Sequence, residues 1–204
     1  MSVAAAKLPV PVEPQRAFYR FSVDQYLQMV KNGVLGPDDH VELLEGWVVN
    51  KMSRNPPHDS AINRLNRRLL RVLPDEWVLR VQCALPLARS VPEPDFPIVR
   101  GPEERYDTRH PRPSDVAINI EVADSSRLKD RRQKGLWYAE AKIPEFWLVN
   151  LVEGIVEVYT HPKGGKSPAY RDRRNFAAGE KVPLILSGRE IALLAVTEFC
   201  PVSV

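Results

Sequence analysis

The sequence predicts one α/β domain built on a mixed β-sheet. Runs of period-two alternation, clearest in VAINIEVA at 116–123, are interleaved with stretches whose apolar residues recur at helical spacing. Two pairs of β-rich runs each flank a two-residue Glu-Gly turn, the pattern of a hairpin. The 204 residues suffice for about one domain with a real core.

Residues 1–17, stiffened by Pro9, Pro11 and Pro14, read as a flexible leader, with the domain at 18–204. Ser22 opens a helix: Gln25 stands three residues on, as a capping box needs, and Val23, Tyr26, Leu27 and Val30 form its apolar face. Gly33 and Gly36-Pro37 end it. VELL and WVVN around Glu45-Gly46 predict a hairpin over 41–50. A second helix is expected over about 59–73, with Ile62, Leu65, Leu69 and Leu73 inward. Arg64, Arg67, Arg68 and Arg71 stripe its other side.

Val81, Cys83, Leu85 and Leu87 then alternate like a strand, and a short strand piece follows at 94–99. Residues 100–113 form a loop long enough to be functional or mobile. In the half-buried strand expected at 116–123, Val116, Ile118, Ile120 and Val122 point one way, and Ala117, Asn119, Glu121 and Ala123 the other. Ser125 or Ser126 caps a third helix reaching about 142, before Pro144. A second hairpin around Glu153-Gly154, strands near 169–176 and 182–186, and a short helix ending near Phe199 complete the chain.

Composition narrows the function. Net charge is only +3, so a nucleic-acid case rests on where charges sit. No run approaches the roughly 18 apolar residues of a membrane span, and the N-terminus lacks a signal-peptide pattern; a cytoplasmic location and no membrane partner are expected. Cys83 and Cys200 stand alone, and His40, His58, His110 and His161 have no ligand spacing, which argues against disulfides and zinc. The sequence also holds no Gly-rich phosphate loop, GxSxG elbow or HExxH pair.

Three polar residues stand where a core would not put them. Glu121 lies within the best strand, Asp95 between Pro94 and Phe96-Pro97, and Lys134 on the helix after Glu121. Taken singly each has a plain reading: a turn residue, a solvated strand residue, a helix ion pair with Asp130. Together, two carboxylates from neighbouring strands and an ammonium are what a hard divalent cation and a phosphate ester require.

Five separated blocks, VELLEGWVVNKMS…PPHDSAINRLNRRL, VQCALPL…PEPDFPIVRG, HPRPSDVAINIEVADSS, DRRQKGLWYAEAKIPEFWLVNL and EVYTHP, occur in order over about 40–160. In these the chain resembles the Uma2 (DUF820) family, itself similar to the PD-(D/E)XK nucleases. The resemblance implies a restriction-endonuclease-like mixed sheet flanked by helices, with an N-terminal helix and hairpin. It implies Asp95 and Glu121 as ligands of Mg²⁺ or Mn²⁺, helped by the Val122 carbonyl, with Glu42 supporting the metal or the lysine. His58 and Gln82 match positions near the site. The superfamily's usual lysine, two residues after the Glu, is here Ala123. Lys134 is expected to replace it, on one helix face with Asp130 and Tyr138.

The activity implied is Mg²⁺-dependent endonucleolytic hydrolysis of DNA. Arg127, Arg131 and Arg132 lie beside the proposed site and are expected on the DNA backbone; the stripe Arg64, Arg67, Arg68 and Arg71 is either solvated surface or a second phosphate track. Two alternatives stand: a nuclease-fold protein that binds nucleic acid or a protein partner without cutting, favoured by Ala123, and a plain interaction module. Two cuts on a duplex would favour a homodimer, with the hairpins at 41–50 and 145–160 as pairing surfaces.

Overall fold

The strand with the clearest alternation becomes an interior strand of the sheet. The computed structural model describes residues 18–51, 55–124 and 128–200, without the side chains of Lys129 and Asp130. The leader, the capping serines 125 and 126, and Arg127 lie outside the described residues.

The chain runs α1 (Val23–Lys31), β1 (Val41–Leu44), β2 (Trp47–Asn50), α2 (Pro56–Leu70), β3 (Trp77–Leu79), β4 (Phe96–Arg100), β5 (Val116–Ala123), α3 (Leu128–Glu140), β6 (Glu145–Asn150), β7 (Ile155–Lys163), β8 (Ala169–Phe176), β9 (Lys181–Leu186) and β10 (Arg189–Ala195). Six strands form one sheet in the order β3-β4-β5-β6-β7-β8; β1-β2 and β9-β10 are separate hairpins. Only β5 and β6 pair in parallel, because α3 carries the chain back between them; the other pairs are antiparallel.

Local chemistry explains the helix starts. Ser22 and Gln25 exchange the two hydrogen bonds of a capping box. α2 begins at Pro56, earlier than expected, because Asn55 caps it and Pro56-Pro57 occupy the first positions, where no amide donor is needed. Ile62, Leu65 and Leu69 of α2 pack with Ile118, Ile120 and Val122 of β5 in the main core, joined by Val182, Leu184 and Leu194 of the β9-β10 hairpin. Each such side chain contributes about 2 kcal/mol when fully buried. On the other face, Tyr138 of α3 packs with Ala123, Phe146 and Leu148. Gly135 permits this approach, since a Cβ there would sit 2.8 Å from the Phe146 ring.

Four expectations need correction. β5 is buried on both faces rather than one, being covered by α2 and α3. The alternation at 81–87 does not make a strand: Gln82 takes φ +52, and the isolated bridge in this region, Leu43 to Val91, lies beyond it. Residues 189–195 form β10, paired with β9 across Ser187-Gly188 (φ +51 and +77), leaving a single 3-10 turn at Val196–Glu198. The hairpin at 145–160 lies inside the sheet, where β6 and β7 are paired on both sides, so it offers no free edge for a second copy.

Candidate active site

Backbone geometry brings Asp95 and Glu121 together. Asp95 immediately precedes β4, Glu121 lies on β5, and the two strands are paired with Phe96 opposite Ile120. Asp95 is held on both oxygens: Gln82 Nε2 donates to Oδ1 at 3.2 Å and the Val122 amide to Oδ2 at 2.9 Å. The positive φ that breaks the strand at Gln82 thus belongs to the residue that turns back onto Asp95.

α3 presents Arg131, Lys134 and Tyr138, spaced three and four residues apart, to this point. The Arg131 guanidinium bridges the two acids, Nη2 lying 3.4 Å from Asp95 Oδ2 and Nη1 donating to Glu121 Oε2. Tyr138 donates its hydroxyl to Glu121 Oε1 at 2.6 Å. Lys134 Nζ donates to both oxygens of Glu42 at 3.0 Å, and the Glu93 amide also donates to Glu42 Oε2 at 3.4 Å. The acids and the lysine are buried, Asp95 and Lys134 being 2% exposed and Glu121 fully covered, while Gln82 is half-buried.

His58, in the first turn of α2, is fully buried as well. Its Nε2 lies 3.7 Å from Asp95 Oδ2, and neither ring nitrogen has a hydrogen-bond partner. The same Asn55 that caps α2 donates to Asp124 Oδ2 at 2.6 Å, fixing His58's helix to the end of β5.

The two acids have opposite electrostatics. Burial works to raise the Asp95 pKa, but Arg131, His58 and the Val122 amide outweigh it and hold the carboxyl well below the usual range. For Glu121 burial prevails: despite Arg131 and Lys134 nearby, and with Asp95 adding repulsion, its pKa is pushed up to about 7. A pair of neighbouring carboxyls whose affinities for a proton are driven apart marks a functional-site candidate.

As the side chains stand, no three His, Cys, Asp or Glu among the described residues converge to hold a metal. The donor chemistry nevertheless suits a divalent cation: two carboxylates meet on the Arg131 guanidinium, beside a buried imidazole 3.7 Å from Asp95. Asp95 and Glu121 would hold it, with His58 in reach of the Asp95 side.

The expected residues divide clearly. Asp95, Glu121, Gln82, Tyr138 and His58 gather at one point, and Glu42 with Lys134 form a buried pair that bears on Glu121. The Asp130 side chain and Arg127 lie outside the described residues. Arg131, expected on a DNA-facing surface, is 8% exposed and turned inward onto the acids. Arg132 does reach solvent but is anchored to Glu157 at 3.1 Å. Arg64, Arg67 and Arg71 are exposed, whereas Arg68 pairs with Glu198 at 2.8 Å. Reading the residues missed the inward role of Arg131, although its three-residue step to Lys134 was a visible signal.

The fold is a mixed six-stranded sheet flanked by helices, and its family is one of putative nucleases. The Uma2 family, described as "Putative restriction endonuclease", matches residues 23–196, and the chain belongs to it. A crystal structure of "a putative nuclease belonging to DUF820" from Anabaena variabilis superposes with a TM-score of 0.67 at 14% identity, covering 88% of this chain and 97% of that one. That likeness shows the fold. No curated protein matches the chain. No helix among the described residues is long and apolar enough to cross a membrane.

Proposed function

We propose that the chain is a divalent-cation-dependent endonuclease hydrolysing DNA phosphodiester bonds with Mg²⁺ or Mn²⁺. One observation carries the reading: Asp95 and Glu121, both buried, meet on the Arg131 guanidinium where β4, β5 and α3 come together. Two carboxylates buried side by side repel one another, and a cation bound between them would offset that cost.

Asp95 and Glu121 would hold a divalent cation, which would supply Lewis acidity toward a phosphoryl oxygen and a lowered pKa of water. The chain's own groups do the rest. Gln82 and the Val122 amide fix the Asp95 carboxylate; Tyr138 fixes that of Glu121. Glu42 holds the Lys134 ammonium in place, where it offsets charge developing on the phosphoryl group. Lys134 thereby takes the part of the lysine that Ala123 lacks. Arg132 meets the DNA backbone beside the site, and Arg64, Arg67 and Arg71 form a more distant phosphate track.

Supercoiled-plasmid nicking with Mg²⁺ or Mn²⁺ tests the reading: wild type cuts, and Lys134→Ala cuts about a hundredfold more slowly. A second reading, DNA binding without cutting, is favoured by Ala123 and by the engagement of Lys134 with Glu42. It predicts retained gel-shift of duplex DNA and no nicking by the wild type.

A further inference from the structure

We propose that Arg131 is the resident counter-ion of this site in the metal-free protein, and that the divalent cation enters by displacing its guanidinium. The proposal rests on the metal-dependent reading above and deepens it.

The guanidinium contacts Asp95 Oδ2 at 3.4 Å and also donates to Glu121 Oε2. A cation ligated by both carboxylates must draw oxygens of these two acids to within about 2.0–2.6 Å of its centre. That centre falls in the space between the acids that the guanidinium now fills. The two cannot be there together.

Nor can the place stay empty. Glu121 is fully buried and Asp95 nearly so, and two desolvated carboxylates without a cation between them are strongly destabilising. Arg131 suits the part: its planar fork spans two carboxylates as a point-like ammonium does not. Lys134, one turn on, donates to both oxygens of Glu42 at 3.0 Å. Metal loading is therefore an exchange of cations. Its apparent affinity is the intrinsic one reduced by the fraction of molecules whose guanidinium has left the acids. Arg131 is here a positioning residue, acting on substrate only through the carboxylates it releases.

The test is a calorimetric Mn²⁺ titration of the full chain without DNA, comparing wild type, Arg131→Met and Arg131→Lys. Displacement predicts that Arg131→Met binds Mn²⁺ about tenfold tighter or more. Arg131→Lys, which keeps the charge but loses the fork, falls between the two. If Arg131→Lys matches wild type while Arg131→Met gains, charge repulsion suffices and displacement is wrong. Equal affinity in all three also overturns it, while leaving the metal site standing. Absence of Mn²⁺ binding by all three overturns the metal reading and this inference with it. Should Arg131→Met fail to fold without metal, thermal unfolding of Arg131→Lys decides. The proposal expects Mn²⁺ to raise its Tm more than that of wild type; an equal or smaller rise contradicts it.

Discussion

Two glutamates lie in one row across the sheet and face the same helix, yet their surroundings are opposite. Glu121 on β5 and Glu157 on β7 are both paired with Leu148 of β6, about 10 Å apart across two strand spacings. Both are fully buried. Glu157 receives Asn150 at 2.9 Å, Arg132 at 3.1 Å, Arg173 at 3.2 Å and the Tyr159 hydroxyl. Burial works to raise its pKa, but the bonds from Tyr159, Asn150 and Arg132 outweigh it and hold the carboxyl below the usual range. Glu121 has Tyr138 and one shared guanidinium, with a second carboxylate beside it, and is pushed up to about 7. A carboxylate met by as many donors as it can accept is part of the structure. One that must share its cation with another acid is equipped to bind something else.

The contrast is broken or sharpened most by mutating the acids themselves. Asp95→Ala and Glu121→Gln should each reduce plasmid nicking by about a thousandfold or more, roughly 4 kcal/mol of barrier, while the circular dichroism spectrum is unchanged. Glu157→Ala should do the reverse. It removes the acceptor of Asn150 and the Tyr159 hydroxyl while Arg132 and Arg173 turn to solvent, so urea unfolding should register a loss of about 1–3 kcal/mol, with nicking per folded molecule within a few-fold of wild type. If Glu157→Ala abolishes cutting in protein that stays folded, the division between the two glutamates is wrong.

Glu42 and Lys134 come next in size. Each single alanine variant should slow nicking by about a hundredfold, and the double variant should be little worse than either, because the pair acts as a unit. Additive losses would separate their roles.

The smallest effect comes from a third glutamate, Glu145 of β6, whose side chain accepts from the Trp147 indole. Burial pushes its pKa up to about 7, against that one lowering bond. The folded state therefore holds this proton more tightly than the unfolded chain. Its contribution is greatest below about pH 4.5 and is lost as pH rises through 7. Glu145→Gln should remove this loss and make the protein about 1–3 kcal/mol more stable than wild type at pH 8, with little difference at pH 4. Unfolding midpoints at the two pH values check the sign.

Much of this was legible in the sequence where the signal is local. The capping box at Ser22, both Glu-Gly hairpins and β5 needed only spacing and turn chemistry. What failed depended on tertiary surroundings. REIALLA reads as helix or strand until β9 is beside it, and the alternation at 81–87 looks like a strand until Gln82 turns toward Asp95. For the site, composition and spacing singled out Asp95, Glu121 and Lys134, and the family resemblance added Glu42, His58, Gln82 and Tyr138. The three-residue step from Arg131 to Lys134 hinted at a shared helix face, but the role of Arg131, like that of Glu157, is defined by its partner. An arginine in a basic run looks like surface until two acids stand beneath it, and a strand glutamate looks solvated until arginines close over it.

The most direct test of the central claim is metal-dependent nicking of supercoiled plasmid by wild type and Asp95→Asn, prepared side by side. The account predicts that wild type gives nicked circles with Mn²⁺, stops on chelation, and that Asp95→Asn leaves the plasmid intact. Cutting by Asp95→Asn at the wild-type rate, or a folded wild type that never cuts with either Mg²⁺ or Mn²⁺, would contradict it.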